Sequence, residues 1–115
     1  MIFDAIILGP GGIAVFGKVE LPTALLKGEG VFEQRLPGDF GPWHTAADGT
    51  ATILVVAAGE WEVKVPGETR TFKAGSIVVA QDGGATNENG HCSKAGGTET
   101  LVLSKTTVPI VFKVV

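Results

Sequence analysis

Only two histidines occur in this chain, His44 and His91, and they are the side chains best suited to chemistry near neutral pH. Imidazole together with a carboxylate suits iron, manganese, zinc or nickel. A three-histidine centre within one chain is excluded by counting. A centre of His44, His91 and Asp48 remains open, and Glu88 stays open as a ligand from the polar loop. Cys92 is a poor third ligand, because neighbouring strand residues point to opposite faces and His91 takes the inward one. In the competing reading the two histidines are polar cavity residues, hydrogen-bonded to each other, to water or to backbone. His44 as a lone general base oriented by a carboxylate is a further possibility. The chain has no tyrosine, which removes one common acid–base group. Trp43 stands next to His44, at a cavity mouth or packed. Trp61 is expected in a core or an interface. Cys92 is read as an exposed thiol, with nothing near it in sequence to activate it.

Short apolar segments separated by glycine and proline must position these residues. Ile2 to Leu8 reads as a strand stopped by Gly9-Pro10-Gly11-Gly12. Ile13 to Leu21 reads as a second strand, ended by Pro22. The Thr23–Leu26 segment has room for one helical turn before Gly28 and Gly30 interrupt it. Val31 to Leu36 is a short strand closed by Pro37-Gly38-Asp39. Pro42 biases the preceding Gly41 toward an extended backbone leading into His44. Thr52 to Ala57 is continuously apolar, as expected of a strand covered on both faces. Glu60 to Val65 alternates, so Trp61, Val63 and Val65 share one face. Pro66-Gly67 predicts a type II turn, with Gly67 at positive φ. Thr69 to Phe72 and Ser76 to Ala80 follow as strands, then a polar loop over Gln81–Gly90. Glu99 to Ser104 and Val108 to Val115 complete the set. Many short strands with almost no helical periodicity predict an all-β sandwich or barrel.

Length and composition restrict function. The 115 residues suit one domain spanning 1–115, and the apolar content of 44% excludes a disordered chain. A net charge of −3 with no basic run argues against nucleic-acid binding. No apolar run approaches the roughly 20 residues that span a bilayer. The opening MIFDAIILGPGG lacks a basic leader, so no membrane association and a cytoplasmic location are expected. The single cysteine agrees with a reducing compartment. The glycine clusters at Gly9–Gly12 and Gly83-Gly84 do not connect a strand to a helix, which leaves a phosphate-cradling role unsupported.

Three segments together resemble the cupin superfamily. Gly41–Ala46 (GPWHTA) followed by Ile53–Val65 is similar to the first cupin motif. Phe72–Asp82 (FKAGSIVVAQD) is similar to the start of the second. Gly90–Gly97 (GHCSKAGG) resembles a segment of small single-domain cupins, with Lys94 where those carry arginine. The resemblance implies a double-stranded β-helix, the cupin jelly-roll barrel, with His44 and His91 aimed into its cavity. It also implies departures from a metal-binding set: Ala46 stands where a second histidine is usual, and Asp48 to Thr52 replace the usual glutamate or glutamine. His91 is the one clear carry-over from the second motif. The metal-free sugar-nucleotide epimerases of this fold use a tyrosine acid that this chain lacks.

The resulting expectation is a homodimer, formed by edge-strand pairing or exchange of the N-terminal strand, that binds a small polar or carboxylate-bearing molecule at His44, His91 and Trp43. The alternative is a metal-dependent oxygenase or isomerase using a divalent transition metal at His44, His91 and Asp48.

Overall fold

The computed structural model describes residues 1–22 and 30–115. Ten strands are present in that part: β1 (Ile2–Leu8), β2 (Ala14–Glu20), β3 (Val31–Arg35), β4 (Ala51–Ala58), β5 (Glu60–Val65), β6 (Glu68–Lys73), β7 (Ile77–Gln81), β8 (Cys92–Gly96), β9 (Leu101–Val108) and β10 (Lys113–Val114). They form a seven-stranded sheet in the order β10-β2-β1-β7-β4-β9-β3 and a three-stranded sheet in the order β6-β5-β8. All pairings are antiparallel except β1 with β7. The helical turn expected over Thr23–Leu26 lies outside the described residues. Among those residues no helix is long and apolar enough to cross a membrane.

Alternation along the strands divides the apolar residues between two clusters. Leu54 and Val56 of β4, Val78 of β7, and Leu101 and Leu103 of β9 face the small sheet, where Trp61, Val63, Val65 and Phe72 meet them. Ile53 of β4 and Val79 of β7 point the opposite way and pack with Val19, Leu21 and Phe112. The uninterrupted apolar run of β4 therefore reflects burial on both faces, as its composition predicts. The second face is closed by the C-terminal segment, which Gln81 holds as a strand neighbour would. Its Nε2 donates to the Phe112 carbonyl and its Oε1 accepts the Phe112 N–H, both at 2.9 Å.

Two local expectations need correction. Gly67 is not among the glycines with positive φ, so the β5–β6 turn is not type II and does not use the freedom of glycine. Gln81, assigned to the loop, instead closes β7, and its neighbour Asp82 is fully buried. A segment rich in polar and glycine residues begins with two side chains whose polar atoms are all paired internally, and composition does not distinguish that from solvation.

Candidate functional site

His44 and His91 meet. They form an isolated antiparallel bridge outside the named strands, each donating its backbone N–H to the other's carbonyl, at 2.9 Å and 2.8 Å. Their rings pack edge to face with centroids 4.4 Å apart. Gly90 permits this approach. A Cβ there would collide with the His44 carbonyl and lie 2.7 Å from the Thr45 methyl group. Gly90→Ala is therefore expected to destabilise the protein by about 2–3 kcal/mol, the scale of overpacking a rigid contact. It should also separate the two rings. A melting temperature within 2 °C of the unmodified protein would refute this reading of the bridge.

Each imidazole is held through Nδ1, in different ways. His44 Nδ1 lies 2.8 Å from the Pro42 carbonyl, which can only accept, so Nδ1 carries the proton. His91 Nδ1 lies 2.6 Å from Asp82 Oδ2, while Asp82 Oδ1 accepts the Ala46 N–H at 2.9 Å. Asp82 is 0% exposed and His91 5%. The carboxylate that orients a histidine thus belongs to His91, whereas one of the sequence alternatives had placed it on His44. In both rings Nε2 is left as the acceptor.

The histidine pair forms one end of a cavity of about 280 Å³. Thr50, Thr52 and Thr107 line another part of its wall, and Leu54, Trp61 and Ala80 supply its apolar portion. Arg35 and Lys105 enter from β3 and β9. Arg35 Nη1 donates to Ser93 Oγ at 2.6 Å and to the Ser93 carbonyl at 3.0 Å. Glu33 Oε2 lies 3.0 Å from Lys105 Nζ and 3.3 Å from Arg35 Nη2. Burial pushes the Glu33 carboxyl up, but the hydrogen bond from Lys105 and the charges of Arg35 and Lys105 outweigh it and leave the group below the ordinary carboxylate value. Among the described residues, one carboxylate between two cations leaves the cluster net positive, and no Asp or Glu lines the cavity itself.

The other sequence candidates lie elsewhere. Asp48 lines a separate recess with Ile7, Leu8, Gln81 and Gly83, so it does not join the two histidines. Glu88 is exposed in the short 3-10 turn Asn87–Asn89. Among the described residues no group of three His, Cys, Asp or Glu side chains could hold a metal ion. The Nδ1-anchored imidazoles have the form of metal ligands, yet the third ligand that a resident transition metal needs is missing from this donor set. Trp43 is 40% exposed and does not line the cavity. Cys92 is buried, not exposed, and burial pushes its thiol pKa up, away from reactivity. It sits on the strand face opposite His91, as alternation requires.

Sequence reasoning missed Asp82, Arg35, Lys105 and Ser93 as site residues. A signal existed for Asp82, which directly follows a buried strand, the position from which a polar side chain turns inward. For Arg35 and Lys105 no signal existed. They meet because β3 pairs with β9, with Arg35 opposite Leu101 and Lys105 opposite Val31.

This arrangement can hold an anionic group against two cations and offer imidazole Nε2 atoms to a donor elsewhere on the same molecule. His91, backed by Asp82, can accept a hydrogen bond or a proton from a bound molecule at Nε2. His44 has its pKa lowered, first by desolvation and also by the neighbouring His91, with the Pro42 carbonyl opposing. The unfolded chain therefore takes up a proton on His44 more readily than the native state does. The stability tied to neutral His44 is full above the unfolded value of about 6.5 and is lost as pH falls from there toward the lowered native value. Because the residue is exposed at the mouth, the slope is shallow. Melting temperatures between pH 7.5 and pH 5 should fall more for the unmodified protein than for His44→Gln. Parallel curves would contradict the desolvated state of His44.

No family model matches the sequence, and no curated protein does. Solved structures match its architecture. An uncharacterised conserved protein with a double-stranded β-helix domain from Klebsiella pneumoniae aligns with a TM-score of 0.56 at 22% identity, over 95% of this chain and 90% of its own. A predicted oxalate decarboxylase from Thermotoga maritima aligns with a TM-score of 0.55 at 19% identity, over 93% and 92%. A putative ethanolamine utilization protein Q from Salmonella typhimurium aligns with a TM-score of 0.53 at 20% identity, over 96% and 98%. At such identities the likeness is one of fold, the double-stranded β-helix.

Proposed function

We propose that this chain, a small protein of cupin fold, binds a small carboxylate-bearing molecule in its barrel between the Arg35–Lys105 pair and the His44–His91 pair. The observation that carries the reading is the sign of the wall. Among the described residues, two cations share one carboxylate behind them and no acidic side chain lines the cavity. Arg35 is already fixed by Ser93, so little freedom is lost when it engages an anion. A planar guanidinium also matches a carboxylate geometrically. In this reading Trp43 leaves the binding set, and Arg35, Lys105 and Ser93 enter it.

Titration calorimetry with short mono- and dicarboxylates, each paired with its uncharged amide, tests the proposal. Acids should bind at least tenfold tighter than their amides, and raised salt should weaken them. A panel in which no acid binds below about 10 mM would refute it.

The same chain is proposed to pair as a homodimer through β3. Among the described residues this strand closes one end of the large sheet, and Val31 and Phe32 are each 72% exposed on it. Open edges with apolar side chains are places where sheets associate. β1 is an interior strand of its own sheet, between β2 and β7, which favours edge pairing over exchange of β1. Light scattering at micromolar concentration should give twice the chain mass, and Phe32→Glu should halve it. A monomer mass for the unmodified protein would refute the pairing.

A further inference from the structure

His91 is 5% exposed and lines the cavity. Its Nδ1 is taken up by Asp82, which is not part of the lining. Its Nε2 makes no hydrogen bond among the described residues, and it is not one of the side-chain atoms that packing closes off without a partner. The one opening left to this buried ring is the cavity it lines. With the Nδ1 proton directed at the carboxylate, Nε2 is a fixed acceptor that requires a donor. Other polar groups on the wall are already served. Thr50 Oγ1 donates to the Ala47 carbonyl at 2.7 Å, Thr52 and Thr107 share a hydrogen bond of 2.9 Å, and Ser93 Oγ accepts from Arg35. Buried polar groups in folded proteins are paired as a rule, so a reachable but unpaired nitrogen beside an anion site calls for a donor on the ligand.

Strand geometry sets how far that donor stands from the anion. His91 and Ser93 are two residues apart in extended chain and both line the cavity, so they share one face. Arg35 is fixed at the level of Ser93. At about 3.3 Å per residue the two levels lie roughly 7 Å apart. A molecule of a few carbons spans that step once a hydrogen bond is added at each end, and a cavity of about 280 Å³ admits such a molecule. The charge of the wall selects the kind of donor. An ammonium group would face Arg35 and Lys105 with no carboxylate lining the cavity among the described residues, and like charges brought together in this way are costly. A hydroxyl donates without that penalty.

We infer that the ligand is a short hydroxy acid, with its carboxylate at Arg35 and Lys105 and its hydroxyl donating to His91 Nε2. This inference rests on the proposed carboxylate binding and adds the second functional group of the ligand. Asp82 then acts as a positioning residue: it holds the proton on Nδ1 and so keeps Nε2 free to accept.

The test is calorimetry at pH 8, where imidazole is ordinarily neutral, with lactate and 3-hydroxybutyrate. Each is compared with the acid lacking the hydroxyl, with its O-methyl ether and with the matching amino acid. At least one hydroxy acid should bind tenfold or more tighter than all three of its analogues, because each analogue leaves Nε2 without a neutral donor. The second readout uses the full chain labelled with 15N-histidine, its two imidazoles assigned with His44→Gln. The preferred hydroxy acid should move the His91 Nε2 resonance, and the acid lacking the hydroxyl should move it far less. If acids bind but hydroxy acids bind no tighter than their methyl ethers, the inference is overturned and carboxylate binding stands. The same holds if a hydroxy acid is preferred while the His91 Nε2 resonance stays still. If no acid binds, both readings fall.

Discussion

Asp82→Ala is expected to destabilise the protein by about 3–5 kcal/mol, the scale of leaving two buried donors without their shared carboxylate acceptor. Asp82 is fully buried and pairs with two donors, His91 Nδ1 and the Ala46 N–H. Alanine would leave both unpaired where water does not easily reach them. For a chain of this length the loss corresponds to a fall of roughly 15 °C in melting temperature. Asp82→Asn keeps the volume and one good acceptor, but its amide NH2 must face a donor, so it should lie between the two. A double-mutant cycle separates the His91 contact from the backbone contact. In a His91→Ala background, Asp82→Ala should cost at least 1 kcal/mol less than in the unmodified protein. Equal costs in both backgrounds would mean that the carboxylate holds the Ala46 segment alone and does not position His91.

Arg35→Met should weaken carboxylate binding by roughly 30-fold, equivalent to about 2 kcal/mol at 1.4 kcal/mol per decade. The magnitude follows from losing a charge-assisted contact in a partly enclosed site. Methionine preserves much of the unbranched stem, and Lys105 still neutralises Glu33, so the fold should change little. Arg35→Lys should recover only part of the affinity, because an ammonium cannot present the paired N–H groups of a guanidinium. The amide control ligands should be almost indifferent to either change. If Arg35→Met weakened acids and amides equally, the guanidinium would serve to shape the cavity and not to select charge.

These two residues bear differently on what is readable from the chain. The apolar alternation of Glu60–Val65 places Trp61, Val63 and Val65 inward in the sequence and in the structure, because side-chain direction in a strand is a local property with period two. The unbroken run of β4 likewise implies two covered faces, and both are covered. His44 and His91 are legible as a pair because they are the only two of their kind and flank the strand-rich middle. Their contact through a backbone bridge also depends on Gly90, whose lack of a Cβ is written in the sequence.

The partners of that pair are not local. Asp82 reaches His91 from nine residues earlier, across a loop whose composition reads as solvated. Arg35 reaches Ser93 across fifty-eight residues, and Lys105 meets Glu33 only because β9 lies beside β3. Asp48 illustrates the converse, being close to His44 in sequence yet lining a different recess. Strand patterning, turn chemistry and the scarcity of histidine are set residue by residue, and so the all-β class and the two histidines follow from the chain alone. Register between strands far apart in sequence is decided by the packing of the whole barrel, and that packing places two cations and a buried carboxylate around His44 and His91.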